Sequence, residues 1–147
     1  MVSPTYTIYI AEDDEDDRLI IKQVFTDMTE DCSLHFFNEG QSLLDHLITL
    51  SAEHLPTLIL LDLNMPKIDG YAVLQAMRAN EMLKEVPVLV LSGTGSYQSV
   101  KQSYRLGANT FMSKPSNLTQ FVNLVSVMQQ HWLRTVILPT NAEQKLA

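Results

Sequence analysis

The sequence predicts an α/β fold, a five-stranded parallel sheet doubly wound by helices on both faces. Three observations carry that prediction. Short apolar runs alternate with stretches whose apolar residues recur at helical spacing. Two of the runs, Leu58-Ile59-Leu60-Leu61 and Val86-Pro87-Val88-Leu89-Val90-Leu91, are apolar almost throughout, as strands covered on both faces are. Three runs end abruptly in polar residues, at Glu12-Asp13-Asp14, at Asp62 and at Ser92. Open α/β sheets place their ligand and reaction sites beyond the carboxyl ends of the strands.

Tyr6 to Ala11 is a first strand, rich in β-branched and aromatic residues. From Glu15 to Thr29, Ile20, Val24 and Met28 share one helical stripe, with Ile21 and Phe25 beside it and Asp14 as N-cap. Ser33 to Phe37 is a second strand. Leu43, Leu44, Leu47 and Ile48 mark a second helix that has stopped by Pro56. Leu58 to Asp62 is the third strand, and Asp69-Gly70 precedes a helix carrying Val73, Leu74 and Met77. Val86 to Leu91 is the fourth strand, with Pro87 at its start, where a missing donor is tolerated. Ser96 to Leu106 is a polar helix, and Thr110 to Met112 a short fifth strand. Leu118, Phe121, Val122, Val125, Met128 and Trp132 give the clearest amphipathic stripe, a last helix. Strict alternation implies right-handed crossovers. Residues 1–140 read as a single domain with an apolar extension from about 131, and 141–147 as a polar tail.

The bulk numbers exclude several classes. A chain of 147 residues suits one domain with a full core. A formal net charge of −7 argues against direct nucleic-acid binding, which needs clustered Lys and Arg. Cys32 is the only cysteine, so no internal disulfide forms, which fits a reducing, cytoplasmic setting. Met1 to Thr5 lacks the pattern of a signal peptide, and no apolar stretch is long enough to span a bilayer. The four histidines show no metal-ligand spacing.

The strand-end residues carry the chemistry. If the first strand neighbours the third, Glu12, Asp13 and Asp62 converge. Such a cluster repels itself unless a cation sits in it, and all-oxygen donors point to Mg²⁺. Taken alone, an acidic run at a helix start is equally a solvated first turn stabilised by the macrodipole. That reading is preferred for Glu15, Asp16 and Asp17. Lys114, just after the last strand, can reach the same edge as a mobile charge, and Pro115 after it raises the chance of a cis bond. Ser92, followed by Gly93-Thr94-Gly95, can donate to a phosphoryl oxygen. Neither phosphate-loop glycine pattern is present.

In order and spacing these motifs resemble the receiver domain of two-component response regulators, over roughly residues 6 to 133. They stand as Glu12-Asp13, Leu61-Asp62-Leu63-Asn64-Met65-Pro66-Lys67-Ile68-Asp69-Gly70, Ser92 and Lys114-Pro115. The resemblance implies a flavodoxin-like three-layer sandwich. It implies Asp62 as the carboxylate that accepts a phosphoryl group from a phosphohistidine. Asp13 binds Mg²⁺ directly, Glu12 assists, and the Asn64 carbonyl is a further ligand; Asp13-Asp14 is the alternative metal pair. Ser92 hydrogen-bonds the phosphoryl group and Lys114 neutralises it. Phe111 is the switch aromatic, read through packing because it lacks a hydroxyl. Asn64 and Thr94 are placed to influence water access.

The partners implied are a sensor histidine kinase or a histidine phosphotransfer protein, with output through protein contacts or phosphorelay. The protein is then a phosphoacceptor that catalyses its own phosphoryl transfer and slow autodephosphorylation, not a conventional enzyme. The apolar ending His131 to Pro139 resembles single-domain receivers that serve phytochrome-type kinases. It either packs on its own domain or contacts a partner or second copy. Two rival readings exist. A dehalogenase-type phosphatase needs a second Asp two residues after the nucleophile, where this chain has Asn64. An inactive receiver-fold module would not need the full acidic, Asp, Ser and Lys set.

Overall fold

The computed structural model describes residues 6–29, 31–93, 95–139 and 146. Five strands form one parallel sheet: β1 (Tyr6–Ala11), β2 (Cys32–Phe37), β3 (Leu58–Leu61), β4 (Val88–Ser92) and β5 (Thr110–Ser113), in the order β2-β1-β3-β4-β5. Five α-helices alternate with them: α1 (Glu15–Met28), α2 (Gly40–Leu47), α3 (Gly70–Ala79), α4 (Tyr97–Arg105) and α5 (Leu118–Met128). β1 lies between β2 and β3, pairing Ala11 with Leu61. The strand order therefore reverses between β1 and β3, the point at which open α/β sheets place their ligand sites.

The two-residue period of the strands divides the core into two layers. Tyr9, Ala11, Ile59, Leu61, Val88 and Val90 face one way, onto Leu43 and Leu47 of α2 and Val73, Leu74 and Met77 of α3. Ile8, Ile10, Leu58, Leu60, Leu89 and Leu91 face the other way, onto Ile21, Val24 and Phe25 of α1 and Phe121, Val125 and Met128 of α5. Each large side chain so buried stabilises the fold by roughly 1.5–3 kcal/mol.

Helix starts follow the expected capping chemistry. Asp14, Asp69, Ser96 and Asn117 each accept a hydrogen bond from a backbone N–H of the first turn. Arg78 replaces local caps elsewhere. Its guanidinium donates to the carbonyls of Gly107, Lys84 and Val86 and to Asn109 Oδ1. Gly107 there has φ +104°, a left-handed conformation that favours glycine.

Several sequence expectations shift. The fourth strand begins at Val88 rather than Val86, although Pro87 still supplies its carbonyl to the Ile59 N–H at 2.9 Å. Ile48 is the C-cap of α2 and is 63 % exposed. On α1 the buried stripe is Ile21, Val24 and Phe25, with Ile20 and Met28 at its border. On α5, Leu118 and Val122 are exposed. The chain passes from α5 into a π-helical segment, Gln129–Thr135. An i→i+5 repeat changes the rotation per residue, so Leu133 follows Met128 into the core while Trp132 packs at its edge. Leu138 is also buried and Ile137 half-exposed. The apolar extension thus packs in part on its own fold. No cis peptide occurs among the described residues, so Lys114-Pro115 is trans. The tail at 141–147 lies outside the described residues apart from Leu146.

Candidate functional site

Glu12 and Asp62 are the first residues beyond two adjacent strands, and pairing alone makes them neighbours. The Asp62 N–H donates to the Ala11 carbonyl at 3.0 Å and the Glu12 N–H to the Phe37 carbonyl at 2.9 Å. Both side chains are almost wholly buried, Glu12 at 2 % and Asp62 at 5 % exposure. Asp13 is exposed, and carboxylate oxygens of Glu12, Asp13 and Asp62 all lie within 4.8 Å of one another. These three carboxylates could hold one divalent cation, and all-oxygen donors suit a hard one.

Asp14, the alternative metal residue, is engaged otherwise. Its Oδ1 accepts the Asp17 N–H at 2.9 Å, capping α1. Arg18 clamps the same turn by donating to the carbonyls of Glu12 and Asp13, both at 3.0 Å.

The loop after β3 holds the Asp62 carboxylate. Asn64 N–H donates to Asp62 Oδ1 at 3.1 Å, and Asn64 Nδ2 lies 3.5 Å from Ser92 Oγ. Gly70 permits α3 to start against this loop. A Cβ there would lie 2.7 Å from both the Asp62 carbonyl oxygen and Leu63 Cα. Ser92 is fully buried at the end of β4, and its carbonyl accepts the Lys114 N–H at 2.9 Å. That bond fixes the root of the lysine beside the site.

From there Lys114 Nζ reaches three carboxylates: Glu12 Oε1 at 2.5 Å, Asp17 Oδ2 at 2.9 Å and Asp62 Oδ2 at 3.3 Å. Burial alone would lower the ammonium's pKa. Hydrogen bonds to Glu12 and Asp17, with the charges of Glu12 and Asp62, outweigh it and raise the pKa above the ordinary lysine value. Glu12 moves the other way for an acid. Burial, chiefly, and the neighbouring Asp62 charge push its carboxyl up to about 7, against the pull of Lys114. Asp17 is the residue the sequence reading missed. It lies one turn before Ile21 and two before Phe25, on the buried stripe of α1, and that register was the available signal.

Phe111 is partly buried on β5. Its ring lies against Gly95, where a Cβ would come 3.4 Å from Phe111 Cε1. Beside it a cleft of about 320 Å³ is lined by Leu63, Asn64, Tyr71, Gly95, Ser96 and Ser99. The Phe111 N–H donates to the hydroxyl of Tyr104 on α4 at 3.1 Å. Thr94 lies outside the described residues.

Residues 8–126 match the response regulator receiver domain family. The chain belongs to that family. Response regulator Rcp1 of Synechocystis sp. is 34% identical over 140 residues, 93% of this chain and 95% of that protein. Among solved structures, the Mn²⁺-bound form of Rcp1 superposes with a TM-score of 0.81, covering 91% of this chain and 99% of that one. The phosphorylated cyanobacterial phytochrome response regulator RcpA gives a TM-score of 0.84 at 32% identity, covering 91% and 98%. The receiver is thus a two-component signalling domain, and its five-stranded parallel fold is that of these solved relatives. No helix of the described residues is long and apolar enough to cross a membrane.

Proposed function

We propose that the protein works as a single-domain response regulator, in which Asp62 accepts a phosphoryl group from a phosphohistidine of a sensor kinase or phosphotransfer protein. The observation that carries this reading is the meeting, at one sheet edge, of a buried Asp62 carboxylate, two more carboxylates and the Lys114 ammonium. An Asp62 oxygen attacks phosphorus, the P–N bond breaks, and the electron pair leaves on the imidazole. The acyl phosphate carries about two negative charges where the carboxylate carried one. Lys114 meets that added charge and the Ser92 hydroxyl donates to a phosphoryl oxygen. Water later attacks phosphorus, the Asp62 O–P bond breaks, and inorganic phosphate leaves as the carboxylate is restored, a slow self-dephosphorylation.

Glu12, Asp13, Asp62 and the Asn64 carbonyl are the ligands we assign to a divalent cation, Mg²⁺ by preference for hard oxygen donors. When bound, that ion offsets the charge gathered on the phosphoryl oxygens. The output we assign to the Ser92–Phe111 pair. Ser92 drawn to the phosphoryl group would free space into which the Phe111 ring turns, shifting α4 between two packings. The contact of Phe111 with Gly95, next to the cleft at the start of α4, supports this.

A second copy of the chain is the partner we assign to the C-terminal extension. A groove of about 650 Å³ runs between β5 and α5, with Met112, Leu124, Val127 and Trp132 among its lining, and Ile137 of the extension is exposed. Sedimentation showing a monomer with and without phosphorylation would remove that assignment. The net charge of −7 fits protein rather than nucleic-acid partners, and the lone Cys32 fits a cytoplasmic setting.

The central test is intact mass after incubation with Mg²⁺ and acetyl phosphate. A labile phosphate adduct on wild type and none on Asp62→Asn is expected. Repeated turnover of a sugar phosphate would favour a phosphatase, and no adduct under any condition an inactive module.

A further inference from the structure

Asp17 belongs to neither the metal cluster nor the motif set, yet it binds the residue on which charge balance turns. Its Oδ2 lies 2.9 Å from Lys114 Nζ, closer than Asp62 Oδ2 at 3.3 Å. The two residues are 97 positions apart in sequence, so the contact is made only by folding. Glu15 and Asp16, its neighbours in the acidic first turn, are exposed, whereas Asp17 is half-buried. Its backbone is fixed, because its N–H is spent on the Asp14 cap. Among the described residues its side chain has one polar partner, Lys114.

An ammonium has three N–H donors and no acceptor. Here three carboxylates occupy them: Glu12, Asp17 and Asp62. A phosphoryl group on Asp62 brings new acceptor oxygens into the same space, so one existing partner has to release the ammonium. Glu12 and Asp62 are both wanted by a cation and both anchored at strand ends. Asp17, on the first turn of α1 and outside that cluster, is the partner free to let go.

We propose that Asp17 is a positioning residue for Lys114 that competes with the phosphoryl group for its ammonium, drawing it away from Asp62 and restraining phosphorylation. This rests on the reading of Asp62 as phosphoacceptor. In the resting protein the Asp17 carboxylate occupies a Lys114 donor that the phosphoryl group needs. On transfer, Lys114 swings from Asp17 to the phosphoryl oxygens, and the link between α1 and the β5–α5 loop opens.

The test is the second-order rate constant for adduct formation with acetyl phosphate at saturating Mg²⁺, read by intact mass on the full chain. Asp17→Asn keeps the shape and an acceptor oxygen but removes the charge. It should phosphorylate about fivefold faster, the size of effect a partly shielded charge pair produces. Asp17→Glu, which keeps the charge, should return towards wild type. In a Lys114→Gln background the Asp17→Asn acceleration should vanish, because the competition is for the lysine.

The sign separates this role from a structural one: loss of mere support for Lys114 would slow the reaction. Slower or unchanged phosphorylation of Asp17→Asn, at an unchanged thermal midpoint, overturns the proposal. So does an equal acceleration without Lys114. Absence of any adduct on wild type would instead sink the assignment of Asp62, a result distinguishable from every Asp17 outcome.

Discussion

Replacing Gly70 by alanine tests whether the start of α3 sets the position of the Asp62 carboxylate. An alanine Cβ would sit 2.7 Å from the Asp62 carbonyl oxygen, 2.7 Å from Leu63 Cα and 3.0 Å from Leu63 Cδ2. Two of those atoms belong to backbone, which cannot rotate away as a side chain can. Ordinary contact begins at 3.4 Å, so helix and loop must part by about 0.7 Å, an overpacking strain of about 1–3 kcal/mol. For a domain of this size that lowers the thermal midpoint by roughly 2–12 °C.

The same displacement moves the backbone that carries Asp62 relative to Glu12 and Lys114. Misplacement by 1 Å can cost about a hundredfold in rate, so adduct formation with acetyl phosphate and Mg²⁺ should slow by roughly tenfold or more. Gly40→Ala is the control. Its Cβ would meet Val73 Cγ2 at 2.7 Å and the Ile68 carbonyl oxygen at 3.0 Å, but not the Asp62 backbone. It should lose stability while phosphorylating at nearly the wild-type rate. A Gly70→Ala protein with unchanged melting and rate would refute the reasoning. Equal slowing in both variants would show that lost stability, not displacement of Asp62, is the cause.

Two further outcomes follow from the site. Without metal, burial holds the Glu12 carboxyl at about 7, above its ordinary 4.5. The folded form then keeps a proton that the unfolded chain sheds between those values. Stability from this group is full below 4.5 and lost as pH rises through 7. Melting in chelator should therefore show Glu12→Gln gaining on wild type from about pH 5 to pH 8; a gap that does not change with pH would contradict the shift. Tyr104→Phe removes the acceptor for the Phe111 N–H, so exchange of that amide should accelerate while global stability falls by no more than about 1.5 kcal/mol. Unchanged protection at Phe111 would mean that α4 is not tied to β5 through this hydroxyl.

Much of the fold was legible in the chain because burial on both faces leaves a one-dimensional mark. The apolar run at Leu58 to Leu61, the stripe Val73, Leu74 and Met77, and the Asp14 cap are local facts that local chemistry enforces. Errors fell where a local rule was overridden. Leu118 and Val122 fit the helical stripe of α5 but face outward, and Leu133 took the core place expected of Trp132 after the π-helical change of pitch. Asp17 looked like a solvated first-turn acid because its partner lies 97 residues away.

The sequence by itself determined which side chains stand at the strand ends, since alternating periodicity and capping are written within a few residues of each other. Only the tertiary structure decided which ends are neighbours. Pairing Ala11 with Leu61 brings Glu12 to Asp62, and the Lys114 N–H bond to the Ser92 carbonyl brings the lysine to both. It also decided which acid is drawn to that lysine and which merely caps a helix. Charge and burial act over distance in space, and the chain order alone does not fix that distance until the sheet closes.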